Sequence, residues 1–257
     1  MTSLDDRLAA VRDGGRHALV PYLMAGARPD WVRLFEAAVA GGADAIEVGL
    51  PFSDPMMDGP VVQEAALAAL AAGTTLDSVC ATLGSLDLGV PLIAMTYCNV
   101  IYHVGLERAA GRLREAGVLG AILPDLALEE LDEWAAVCDA GDLATVLMVA
   151  PSTPVERVAR LTARSRGFVY AAARMAVTGT ASGLGDGVAV VERVREVSSV
   201  PVYMGIGIAT PEQARDAARV ADGVIVGSAL VRRVLDGQSA EDLESAVRAL
   251  REALDEM

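Results

Sequence analysis

The chain has 257 residues, 53 % hydrophobic and 22 % charged, which is ample apolar material for one large core and excludes a disordered polymer. Its 35 acidic and 21 basic residues leave a formal charge of −14, which argues against nucleic acid and membrane surfaces as partners because both are negative. All 21 basic residues are arginine, and a chain without lysine can form no Schiff base, no internal aldimine with pyridoxal phosphate and no Walker-type phosphate loop.

Ser3–Asp13 reads as a helix ahead of the first strand, set at the lower mouth of a barrel. No apolar signal run precedes it, so a cytoplasmic location is expected. A regular alternation follows. Ala18–Leu23 reads as a strand and Pro29–Ala40 as a helix, then Ala45–Gly49 and Val61–Ala72, then Pro91–Met95 and Leu106–Ala116. The uncharged stretch Leu88–Leu106 reads as a buried strand running into a loop, because Pro91, Asn99 and His103 interrupt it. Gly120–Leu123 pairs with Leu128–Ala140, and Thr145–Ala150 with Pro154–Ser165. Gly167–Ala171 pairs with Val188–Val197, Val200–Met204 with Pro211–Val220, and Gly223–Val226 with Ala240–Leu254. Continuous apolar strands are buried on both faces, as in a parallel sheet. Eight β/α units of about 32 residues favour a single closed (β/α)₈ barrel over residues 1–257, with an open doubly wound sheet as the rival.

In such a barrel, chemistry sits at the C-terminal ends of the strands. Glu47 interrupts the apolar run Ala43–Leu50, where burial would raise its pKa towards that of a general acid/base. A buried structural glutamate is the plainer alternative. Asp58, eleven positions on, lies in a loop stiffened by Pro51, Pro55, Gly59 and Pro60 and is the natural second carboxylate, although Asp54 and Asp58 also suit turns and caps. Gly205-Ile206-Gly207 and Gly227-Ser228, after the last two strands, suit a phosphate cradle of backbone N–H groups, with Val177-Thr178-Gly179 as a third contributor; tight βα turns are the alternative. The glycine-rich stretch Arg174–Gly187 has the composition of a lid or of a plain connector. Tyr22, Leu23, Met95, Tyr97, Leu126 and Tyr170 fall near strand ends, where they line a pocket or fill the barrel. Cys80, Cys98 and Cys138 are scattered and odd in number, which fits reduced thiols, and with His17 and His103 they make no zinc ligand set.

The run Glu47-Val48-Gly49-Leu50-Pro51-Phe52-Ser53-Asp54-Pro55-Met56-Met57-Asp58-Gly59-Pro60-Val61-Val62-Gln63 closely resembles the signature of the tryptophan synthase alpha chain family. Met95–Asn99, Pro124-Asp125-Leu126, Ala150–Pro154, Gly167–Tyr170 and Val177–Gly179 match in order along nearly the whole chain. The resemblance implies a barrel that cleaves indole-3-glycerol phosphate to indole and glyceraldehyde 3-phosphate. It implies Glu47 as the general acid/base, Asp58 as the partner of the indole N–H, Tyr170 as a lining residue, and Gly179, Gly207, Gly227 and Ser228 as the phosphate site. It implies no cofactor in this chain, pyridoxal phosphate belonging to a β chain in an α2β2 assembly that Pro51, Asp54 and Asn99 would contact. The sequence departs from the family at Ala173 and Ala176, where the lid has Ser and Gly, and at Val100–Gly105, Ala127 and Ala68. Two alternatives stay open: a stand-alone lyase releasing indole for a specialised pathway, and a weakly active subunit that activates a β chain.

Overall fold

The computed structural model describes residues 3–172, 185–205 and 207–257. Eight parallel strands close into a barrel in chain order: β1 Ala18–Met24, β2 Ile46–Gly49, β3 Leu92–Met95, β4 Val118–Ile122, β5 Ala144–Val149, β6 Val169–Ala172, β7 Val202–Gly205 and β8 Gly223–Val226, with β8 returning to pair with β1. Closure of the sheet decides against the doubly wound rival and leaves no open strand edge.

The helices are α1 Leu4–Asp13, α2 Trp31–Ala40, α3 Pro60–Ala71, α4 Leu76–Leu83, α5 Cys98–Val104, α6 Leu106–Glu115, α7 Leu131–Ala140, α8 Val155–Arg164, α9 Gly185–Val197, α10 Pro211–Ala218, α11 Ser228–Leu235 and α12 Ala240–Asp255. Every expected element is present, and three helices come in addition. One is a correction: beyond β3 the stretch expected to be loop winds into α5. Its cause is distant in sequence, because the Asp125 carboxylate after β4 accepts the Cys98 N–H at 2.9 and 3.2 Å and so caps the helix start. Helix α4 begins at a reciprocal cap between Thr75 and Ser78. Helix α11 begins at Gly227, directly after β8.

Alternation along each strand sorts the core. On β2, Ile46 and Val48 pack outward with the helices, while Ala45, just ahead of the strand, joins the cluster inside the barrel. Helix α1 plugs the lower mouth. Ser3 and Asp6 close its capping box, and Leu4 and Leu8 pack on Val20, Ile93, Ile122, Val146 and Phe168. Gly120 and Gly167 make that fit possible, since a Cβ on either would come within 2.7 or 2.6 Å of Leu4 Cδ2. Among the described residues no single helix is long and apolar enough to cross a membrane.

Candidate active site

Glu47 lies on β2 in register with Tyr22 of β1 and Ile93 of β3. The residue is 1 % exposed, and neither carboxylate oxygen has a hydrogen-bond partner. Burial, with the charge of Asp58 as the smaller cause, pushes its pKa up to about 8. A structural glutamate would be satisfied by donors, because an unpaired buried carboxylate costs several kcal/mol, on the order of the whole stability of a small domain. The orphaned acid is the feature the plainer reading leaves unexplained.

Asp58 arrives from the loop between β2 and α3. That loop folds on itself, with the Met56 N–H donating to the Asp54 carbonyl at 2.8 Å and the Asp58 N–H to that of Pro55 at 3.0 Å. Gly59 is the N-cap of α3 and Pro60 its first residue, so Asp58 is not spent as a helix cap. Burial raises its pKa to about 6, against the lowering effect of the nearby Tyr97 hydroxyl. Two carboxyl groups thus share one site with their pKa values held apart, which suits one protonated and one ionised group at neutral pH.

Three tyrosines complete the wall. Tyr22, Tyr97 and Tyr170 are 5, 3 and 5 % exposed, and the fields of Glu47 and Asp58 raise the hydroxyl pKa of Tyr22 and Tyr170 beyond the effect of burial. The rings of Tyr22 and Tyr170 each depend on a glycine. A Cβ on Gly49 would lie 2.4 Å from the Tyr22 hydroxyl, and one on Gly205 would lie 2.2 Å from that of Tyr170. Sequence reasoning placed Tyr22 and Tyr97 among possible lining residues but did not connect Tyr97 with Asp58.

One of the expected phosphate residues, Gly227, adjoins this site. Gly227 packs against Tyr22, its Cβ position lying 3.5 Å from the tyrosine Cβ, and it heads α11. Its carbonyl accepts from the N–H groups of Leu230 and Val231, while those of Ser228 and Ala229 have no partner inside the helix and carry the positive end of its dipole. Gly207 follows β7 at φ +98°, a backbone conformation that favours glycine. Gly179 and the stretch 173–184 lie outside the described residues. Pro51 is buried, whereas Asp54 and Asn99 are exposed on the loop and on the first turn of α5. Among the described residues no group of three or more His, Cys, Asp or Glu gathers as a metal site.

The sequence matches the family model described as tryptophan synthase alpha chain over residues 8–257. It is 46 % identical to the tryptophan synthase alpha chain of Thermobifida fusca, covering 98 % of this chain and 95 % of that one. It is also 46 % identical to that of Streptomyces coelicolor, over 96 % and 93 % of the two chains. Among solved structures, tryptophan synthase of Mycobacterium tuberculosis superposes with a TM-score of 0.91 at 38 % identity, covering 99 % of both chains. The alpha subunit of Legionella pneumophila str. Paris gives 0.89 at 31 % over the full length of both. With the barrel, the orphaned acid and these likenesses together, the chain belongs to the tryptophan synthase alpha chain family.

Proposed function

We propose that Glu47 and Asp58 divide the acid–base work of the family's reaction, the cleavage of indole-3-glycerol phosphate to indole and glyceraldehyde 3-phosphate in tryptophan biosynthesis. The observation that carries this reading is the Glu47 carboxyl group, buried, unpartnered and tuned to about 8. Protonated Glu47 delivers its proton to C3 of the indole, and the ring becomes an indolenine-like cation. Ionised Asp58 accepts the ring N–H and stabilises that charge. The Glu47 carboxylate then takes the proton of the glycerol hydroxyl on the carbon attached to C3. As the carbon–carbon bond breaks, its electron pair neutralises the ring and the carbinol becomes the aldehyde. Glu47 ends protonated, as it began. The indole ring itself is the electron sink, and no lysine imine takes part in a chain without lysine.

The phosphate end of the substrate sits at Gly207, Gly227 and Ser228, with Gly179 from the segment after β6, held by backbone N–H groups because the acidic chain brings no lysine there. Tyr170 lines the middle of the site. The three unpaired thiols and the acidic surface support a cytoplasmic enzyme, with residues 1–257 acting as one unit.

A β chain is the proposed partner, docking in an α2β2 assembly on the face that carries Asp54 and Asn99, with Pro51 buried and therefore not the direct contact expected. Support comes from the exposure of large apolar side chains there: Met56 at 80 % and Met57 at 59 % on the loop, and Tyr102 at 48 % on α5. Indole release from indole-3-glycerol phosphate by the purified chain, with and without a β chain, tests the assignment. Strong stimulation is expected. Fast release without a partner identifies a stand-alone lyase, and no release in either case refutes the catalytic reading.

A further inference from the structure

Tyr97 has no part in bond making, yet its hydroxyl stands between two residues of the loop that supplies Asp58. The Met57 N–H donates to the Tyr97 oxygen at 3.1 Å. A tyrosine has one O–H to give, and with its oxygen already accepting from Met57 that proton is free for the next residue, Asp58, whose carboxyl group is close enough for each to shift the other's pKa. The ring is fixed as well as the oxygen. Phe52, from the start of the same loop, stacks on it with centroids 5.2 Å apart and planes 29° from parallel. On the other side, Tyr97 is the N-cap of α5, whose first N–H is held by Asp125. One buried side chain therefore ties the β2–α3 loop to the rigid end of β3. A loop joined to its barrel only by its two ends would let a carboxylate wander, and preorganisation of that carboxylate is what charge stabilisation requires.

We propose that Tyr97 is a positioning residue for the reaction, its hydroxyl anchored by the Met57 N–H and its ring by Phe52, so that its proton holds the Asp58 carboxylate facing the ring N–H of the substrate. The inference rests on the role given to Asp58 above. The other titratable groups facing this pair are Glu47 on β2, Tyr22 on β1, Tyr170 on β6 and, on the side of Tyr97, Asp125 after β4. None of them supplies the proton that Tyr97 does.

The test is Tyr97→Phe, which keeps the ring stack and removes only the hydroxyl. Two quantities are read across pH: kcat/KM for indole release, and the carbon-13 NMR titration of the Asp58 carboxyl, assigned by its loss in Asp58→Asn. Expected are an upward move of the Asp58 midpoint from about 6, a fall in kcat/KM at pH 7 of about 10- to 100-fold, and an unmoved alkaline limb belonging to Glu47. Phe52→Leu, which loosens the stack and keeps the hydroxyl, shifts the midpoint in the same direction by less. An unmoved Asp58 titration in Tyr97→Phe overturns the proposal, as does a moved titration with unchanged kcat/KM or a loss of rate equal at every pH. If Asp58→Asn itself keeps full activity, the assigned role of Asp58 fails, whereas the titration in Tyr97→Phe still decides whether the contact exists.

Discussion

Asp44 and Glu47 stand three positions apart on the way into and along β2, and both are buried. Asp44, at the lower rim of the barrel, accepts the Leu19 N–H at 2.9 Å and pairs with Arg251 at 3.0 Å and Arg16 at 3.3 Å. Glu47, nearer the upper rim, has nothing. At the lower end α12 brings an arginine to the buried aspartate and joins the C-terminal helix to the strands. At the upper end two carboxyl groups and three tyrosines meet around a space with no cation among the described residues that reaches Glu47. The same fold thus neutralises one buried acid and leaves another without partners, in keeping with the division of labour between the two faces of such barrels.

Breaking the upper member has the largest expected effect. Glu47→Gln keeps the shape and removes the proton donor, and indole release should fall by about 10²- to 10⁴-fold with an unchanged circular dichroism spectrum. Full activity in that variant would end the assigned role. Breaking the lower member should leave chemistry and cost stability. Asp44→Ala removes the buried partner of Arg251, which keeps its contacts with Asp255 at 2.7 Å and the His17 carbonyl at 2.9 Å, and urea denaturation should register a loss of about 1–3 kcal/mol while kcat of the folded fraction stays near that of the parent. A variant that lost activity and kept its stability would contradict the division between the two ends.

Titration sharpens the contrast. Because burial raises the pKa of Glu47 from 4.5 to about 8 in the folded state, the native protein holds a proton that the unfolded chain has released between those values. Stability is therefore greatest below about pH 4.5 as far as this group is concerned, and its contribution declines as pH rises to about 8, by at most about 1.4 kcal/mol per pH unit. In Glu47→Gln that decline should vanish, so the urea midpoints of parent and variant diverge steadily above pH 5 and the variant is the more stable at pH 8. Parallel curves would mean that Glu47 is solvated or paired in solution. The smallest effect is expected at Gly49→Ala. Its methyl group would press on the Tyr22 hydroxyl from 2.4 Å, costing about 1–3 kcal/mol and raising KM several-fold as the ring is pushed into the cavity.

Tyr97 marks the limit of what could be read from the chain alone. Its place near a strand end suggested a lining residue, but its contact with the Met57 N–H spans 40 positions and belongs to no local pattern. The same holds for α5, which the run of uncharged residues disguised and which depends on a cap 27 positions away. Helix α11 was hidden for a different reason: Gly227-Ser228 carries a turn signal that also serves as a helix start. By contrast, β8 spans Gly223–Val226 in both the sequence pattern and the structure, because a short apolar run bounded by Asp222 and the turn residue Gly227 has few other ways to be buried.

The eightfold alternation, the lack of lysine and the two candidate carboxylates, Glu47 and Asp58, were legible in the chain, since apolar periodicity, composition and an acid in an apolar strand are all local properties. Which buried acid is satisfied follows from contacts distant in sequence. The partner of Asp44 comes from 207 positions away and that of the Met57 N–H, beside Asp58, from 40, and a hydrogen bond or its lack is a property of three-dimensional neighbours, which closure of the barrel assigns.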